Sequence, residues 1–252
     1  MKTEMPITWF DIIDSTNSEA KRRISDIDKM AVFAAKFQTA GRGQRGNKWS
    51  SADGENLTFS IVLKFGKEAG VRLKASSQFA LSELAALSVH SYLSGTGVEA
   101  KIKWPNDLYV RNRKICGMLI ENALDGEYIS SSIIGIGLNL KQKEFPPELI
   151  NPTSVSIVTG QDIEPENALD DFIPHFTGRL GLVFSEDGRN RLQEEYLSAL
   201  YRKDLVHQYR DCTTGEVFNG TIKGISAGGL LSVKMPDDSV KEFSFKEISY
   251  LL

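Results

Sequence analysis

Apolar positions change their period several times along the chain, and each change marks a different element. Residues 31–37 (Ala-Val-Phe-Ala-Ala-Lys-Phe) are apolar except at Lys36, which at that length predicts a buried strand rather than a helix. Residues 57–65 predict a second strand. Leu73, Phe79, Leu84, Leu87, Val89 and Leu93 recur at helical spacing, predicting a helix over 73–93 closed by Gly95. Strands are predicted over 100–103, 108–111, 114–122 and 128–137, joined by short turns such as Asp125-Gly126. Helices follow over 166–183 and 190–199. Near the start, residues 9–13 alternate weakly, and Thr16 and Glu19 have the spacing of a capping box, predicting a helix over 17–24.

The texture changes after Tyr201. Short alternating runs at 205–209, 217–225, 230–233, 240–245 and 248–252 are separated by Thr214-Gly215, Gly228-Gly229 and Asp237-Asp238, the spacing of a small barrel. A boundary near Tyr201 is expected, with one domain over 1–201 and a second over 202–252.

Composition narrows the class. At 252 residues the chain can bury a sizeable core, and its 41% hydrophobic and 25% charged residues are ordinary for a globular protein. No apolar run approaches the roughly 18 residues of a membrane span. Residues 1–10 lack the basic start and apolar centre of a secretory signal, so a cytoplasmic protein is expected. Cys116 and Cys212 lie far apart, form no CxxC pair and read as packing residues. His90, His175 and His207 are scattered without metal-ligand spacing, so no metal ligands can be named. A net charge of −3 lacks the footprint of a DNA binder.

One basic stretch stands out, Gln38-Thr39-Ala40-Gly41-Arg42-Gly43-Gln44-Arg45-Gly46-Asn47-Lys48-Trp49. It contains GxGxxG, but residues 47–56 are polar and turn-rich and lead into a strand, not into the helix a dinucleotide fold requires. Its glycines allow close backbone approach and its arginines offer forked donors to carboxylates or phosphates, so it reads as an anion clamp. Other pieces accompany it. Lys103-Trp104-Pro105-Asn106-Asp107 presents a lysine, an amide and a carboxylate around an X-Pro turn. Lys114-Ile115-Cys116-Gly117-Met118-Leu119-Ile120-Glu121 puts a lysine at the mouth of a strand, with Gly117 permitting close approach. Gly135-Ile136-Gly137-Leu138-Asn139 ends a strand in glycines and an amide.

Together with Ser15-Thr16-Asn17, these segments resemble the ordered motif set of biotin protein ligases, from about residue 7 to residue 139, and the tail resembles that family's SH3-like C-terminal domain. The resemblance implies an α+β fold, a mixed sheet flanked by helices as in class II synthetases, with a small C-terminal barrel. It implies an enzyme that forms biotinyl-5'-AMP from biotin and ATP and transfers biotin to a lysine of a biotin carboxyl carrier protein, with Mg2+ arriving on the nucleotide. Because Trp9 to Asn17 begins so near the N-terminus, the short form without a DNA-binding extension is expected, hence no DNA partner, and without a long apolar run no membrane partner; a homodimer is left open.

By the same resemblance, Ser15, Thr16 and Gln38 hydrogen-bond the ureido ring, where an unpaired group costs about 1–3 kcal/mol. Gly41 and Arg42 close over the carboxylate, with Gly117 and Gly135 lining the biotin site. Arg45 and Lys114 stabilise the carboxylate and α-phosphate as they approach. Trp49, Asn106, Leu138 and Asn139 hold adenine; Asn47 and Lys103 join the ATP site. Lys103 and Asp107 serve the phosphates and the incoming lysine. Gln44 and Asn47 stand where many members have arginine, so Arg45 and Lys114 are expected to carry more of the load and the adenylate to leave more easily. The competing readings are a lipoate or octanoate ligase, disfavoured by the polar ureido partners, and a non-enzymatic biotin sensor.

Overall fold

The computed structural model describes residues 5–66 and 68–251; residues 1–4 of the N-terminal stretch read for a secretory signal, Leu252 at the end of the last predicted strand, and the side chain of Arg45 lie outside the described residues. Strands β1 (Ile7–Ile13), β2 (Met30–Gln38), β3 (Asn56–Lys64), β4 (Lys101–Lys103), β5 (Asp107–Val110), β6 (Arg113–Asp125) and β7 (Tyr128–Asn139) form a seven-stranded sheet in the order β1-β2-β3-β7-β6-β5-β4. Only β1 and β2 pair in parallel. The long apolar runs in β2 and β3 are explained by their place: both faces of the sheet are covered. One face meets α2 (Phe79–Gly95) and α4 (Pro165–Leu180), with α5 (Glu186–Ser198) behind α2, through Phe59, Ile61, Ile134 and Ile136. The other meets α1 (Thr16–Arg22) through Ala20, Phe33, Val62 and Ile133.

The period of two therefore decides which residues can build a site. On the α1 face lie Ser60 of β3, Gly135 and Gly137 of β7, and Gly117, Leu119 and Glu121 of β6, while their sequence neighbours enter the large core.

Three local expectations change. The helix predicted from Leu73 starts at Phe79, because Leu73 O accepts Ile129 N–H and Ala75 N–H donates to Glu127 O, so this segment is tied to the β6–β7 hairpin first. Helix α3 (Val155–Thr159) was hidden by β-branched residues, although Ser154 caps it by accepting Ile157 N–H at 3.2 Å and Gly160 closes it at φ +77°. Thr16 does not cap α1: Ser15 is the N-cap residue, and its side chain makes no capping bond. Of the two free cysteines, Cys116 packs in the core as expected, but Cys212 is exposed after β8 (Val206–Asp211). No described helix is long and apolar enough to cross a membrane.

Strands β8, β9 (Val217–Ile225), β10 (Leu231–Lys234), β11 (Val240–Phe243) and β12 (Ile248–Tyr250) make a five-stranded antiparallel sheet ordered β11-β10-β9-β8-β12. It is sealed to the first sheet by aromatic packing. Phe245 lies 5.3 Å from Trp104 and 6.4 Å from Phe79 between ring centres, and Trp104 Nε1 donates to Gly229 O at 3.0 Å. Gly229, at φ +89°, has no room for a Cβ, which would stand 2.6 Å from the Phe79 ring.

Glu83 of α2 is only 4% exposed, and burial pushes its carboxyl up to about 8 from an ordinary 4.5. As pH rises through that interval, the unfolded chain releases this proton while the folded one keeps it, so stability falls. Glu83→Gln should remove this slope, matching wild type near pH 4.5 and exceeding it by about 2 kcal/mol or more at pH 8, as read from urea unfolding across pH.

Candidate functional site

A cleft of about 440 Å³, counting its open mouth, lies on the α1 face over the glycine stripe of β6 and β7. Its floor is main chain because other side chains take the space over each glycine. A Cβ at Gly137 would stand 2.2 Å from the Trp49 indole, one at Gly135 would stand 2.1 Å from Asn17 Oδ1, and one at Gly117 would stand 2.9 Å from Lys114 Nζ. Gly41 is fixed by the same logic, its Cβ position being 2.4 Å from Trp49 O.

The closed end of the cleft is neutral and polar. Thr16 N–H donates to Gln38 Oε1 at 2.8 Å, and Ser60 Oγ lies 2.7 Å from Thr16 Oγ1 and 2.6 Å from Asn17 Oδ1. Ser15, Thr16 and Asn17 are buried, yet Ser15 Oγ and Gln38 Nε2 have no hydrogen-bond partner among the described residues and line the cleft. The mouth is charged. Arg42 Nη2 donates to Glu121 Oε2 at 2.6 Å, Lys114 Nζ pairs with Asp107 Oδ1 at 2.7 Å, and the same ammonium lies 5.8 Å from the centre of the Trp49 ring.

Beyond Trp49 a second hollow of about 470 Å³ is shared by Trp49, Lys114 and Asn139 with Phe145, Leu149, Ile150 and Pro152. The signal of these last four in the sequence is weak, an apolar cluster in an otherwise polar loop. Trp49 Nε1 is buried with no partner among the described residues, a donor beside both hollows.

Most of the expected site residues therefore meet. Ser15, Thr16, Gln38, Arg42, Trp49, Asn106, Lys114, Gly117 and Gly135 line the main cleft, and Asp107 is tied to it through Lys114. The GxGxxG stretch opens no helix; residues 44–46 form a single 3-10 turn, and Arg42 and Lys48 bridge across it.

Other expectations shift. Leu138 is 1% exposed in the large core, because alternation along β7 sends it to the face opposite Gly137 and Asn139. Asn47 is exposed and engages the loop through its backbone, its carbonyl accepting Gly43 N–H at 2.7 Å, whereas Gln44 lines the cleft. Asn106 and Asn139 occupy different hollows, and Asn139 Nδ2 is already committed to Thr153 O at 2.9 Å. Lys103 is not in the cleft lining; its ammonium lies 4.9 Å from the centre of the Tyr109 ring and 4.8 Å from that of Tyr250, and burial lowers its pKa despite Asp107 nearby. Arg45 is expected in the loop, but its side chain is outside the described residues. Asn17 and Glu121 carry no role in the motif reading, and both belong to the site's hydrogen-bond network.

Residues 9–139 match the biotin/lipoate A/B protein ligase family. The chain belongs to that family. It is 30% identical to the bifunctional ligase/repressor BirA of Bacillus spizizenii over 97% of this chain and 75% of that protein. It is 34% identical to the biotin–[acetyl-CoA-carboxylase] ligase of Paracoccus denitrificans over 65% of this chain and 68% of that one. Its fold superposes on the biotin protein ligase of Aquifex aeolicus in complex with biotin and ATP with a TM-score of 0.77, at 26% identity and 97% coverage of both chains. In this family member the cleft, the glycine floor and the mixed sheet with its C-terminal barrel thus occur together.

Gly137→Ala should force Trp49 off the sheet. The expected result is a red-shifted, more acrylamide-quenchable tryptophan emission and a stability loss of about 1–3 kcal/mol in urea. An unchanged emission spectrum would refute the close packing of Trp49 on β7.

Proposed function

We infer that this family member is a biotin protein ligase, which joins biotin to AMP at the expense of ATP and passes the biotinyl group to a lysine of a biotin carboxyl carrier protein. The observation that carries this reading is the polarity of the cleft: neutral donors and acceptors at its closed end, cations at its mouth. A ureido ring offers two N–H donors and one carbonyl acceptor, matched by Ser15, Thr16 and Gln38, whereas the carboxylate at the other end of biotin reaches Arg42 and Lys114. A lipoyl ring brings no such polar groups and would leave that end unpaired. The Paracoccus relative and the Aquifex neighbour, named for biotin, support the same assignment.

Adenylation brings two anions together, so the protein must supply positive charge where they meet. Lys114 stands between the main cleft and the second hollow, and both are within its reach. We assign the second hollow to adenosine, with Trp49 stacking and Phe145 and Leu149 enclosing the base, and Arg45 to the phosphates. Attack by the carboxylate oxygen on the α-phosphorus expels pyrophosphate, and no proton has to move in that step. In the second step an amine attacks the mixed anhydride carbonyl, AMP leaves, and the ammonium must lose a proton. We assign Asp107, which pairs with Lys114 at 2.7 Å, to orient or deprotonate it.

Magnesium is assigned to the nucleotide. Among the described residues no group of three His, Cys, Asp or Glu side chains converges, and Asp107 and Glu121 are each engaged by a cation, so the donor set suits an ion carried by ATP phosphates and water rather than a protein cage. We place the protein in the cytoplasm and the domain boundary near Tyr201, where the chain crosses from α5 to β8.

Purified chain given biotin, ATP and Mg2+ should release pyrophosphate and, with a carrier domain added, raise its mass by one biotinyl group on one lysine. No pyrophosphate release would end this reading. Lys114→Met should slow pyrophosphate release by about 10²–10³. Asp107→Asn should slow transfer from preformed biotinyl-adenylate by about 10² or more in single turnover; transfer at the wild-type rate would remove Asp107 from that role.

A further inference from the structure

Ser60 lies in mid-β3, is fully buried and takes no part in lining the cleft, yet it stands between two residues that do. Its Oγ is 2.7 Å from Thr16 Oγ1 and 2.6 Å from Asn17 Oδ1. One hydroxyl carries one proton, so Ser60 can donate to only one of them. The choice is made at the far side of Asn17. Asn17 Nδ2 lies 2.8 Å from Glu121 Oε2 and 3.3 Å from Leu119 O, and a carboxylate and a carbonyl only accept. The amide must therefore turn its oxygen to Ser60, and Ser60 must give its proton to that oxygen.

What remains on Ser60 is a lone pair facing Thr16. The Thr16 hydroxyl has another acceptor in Gln38 Oε1, but that contact is 3.3 Å long and the same oxygen already takes Thr16 N–H at 2.8 Å. The shorter contact takes the proton, so Thr16 donates to Ser60 and keeps its lone pairs toward the cleft. Gln38, its oxygen occupied, presents its NH2 as a donor.

We propose that Ser60 is a specificity-determining positioning residue: without touching the ligand, it makes Thr16 an acceptor and so demands an N–H from the ring at the closed end. This rests on reading the cleft as a ureido site. It explains why a chain of polar side chains runs inward from half-exposed Glu121 through buried Asn17 and Ser60 to Thr16 where a hydrophobic contact would fill the space.

The test is calorimetry on the full chain with biotin and with the cyclic carbamate analogue in which the ring N–H facing Thr16 is replaced by oxygen. Ser60→Ala should weaken biotin about tenfold. It should also lower the preference for biotin over the carbamate, because the freed Thr16 hydroxyl can then donate. In a Thr16→Val background the same Ser60→Ala change should cost less than about twofold. Additive losses in the double variant, or an unchanged preference, overturn the proposal while wild-type binding of biotin leaves the ligase reading intact. Failure of wild type to bind biotin overturns the ligase reading and the proposal with it. Should Ser60→Ala not fold, Ser60→Cys, similar in volume and only a weak donor, is read by the same two criteria.

Discussion

Bare main chain at Gly117, Gly135 and Gly137 is the constraint on which the site depends. Sheets are normally covered by their own side chains, and here three positions on one face are left open so that Trp49 and Asn17 can come down from other elements and Lys114 can fold back over its own strand. Without that approach the indole could not stand between the two hollows, and the Asn17 amide could not connect α1 to β6. The glycines weaken the strands they occupy. That loss is offset on the other face, where Ile134 and Ile136 enter the large core.

The cations of the mouth are each held by a carboxylate before any ligand arrives, Arg42 by Glu121 and Lys114 by Asp107. These pairs are partly exposed, so their own contribution to stability is small. Their effect is positional: each long side chain is kept aimed at the cleft, and an incoming anion exchanges one partner for another rather than ordering a free side chain.

Much of this was legible in the sequence because the relevant information is local. The order of strands and helices follows hydrophobic period, and Ser15, Thr16, Gln38, Arg42, Trp49 and Lys114 converge as their motifs imply. The misses come from information carried by tertiary contacts. Thr16 and Glu19 satisfy a capping pattern, but the hydroxyl is drawn to Gln38 and Ser60, while Glu19 pairs with Arg22 and Arg23. Leu138 shares a motif with Asn139 and still faces the other way, since adjacent residues of a strand never share a face. Lys103 reads as a site cation until the aromatic rings of Tyr109 and Tyr250, 141 residues apart, are seen to enclose it. Ser60 carries no local signal at all; it is one serine in an apolar strand.

The seam between the two sheets limits how this architecture can be recombined. Phe245 enters from the barrel against Trp104, and Gly229 offers its carbonyl to the same indole while leaving no space beside Phe79. Trp104 opens the turn that carries Asn106 and leads into Asp107 at the start of β5. The barrel is therefore not an exchangeable cassette: a chimera that imported another barrel without a matching wedge and a side-chain-free corner would leave an indole unsupported at the root of that turn.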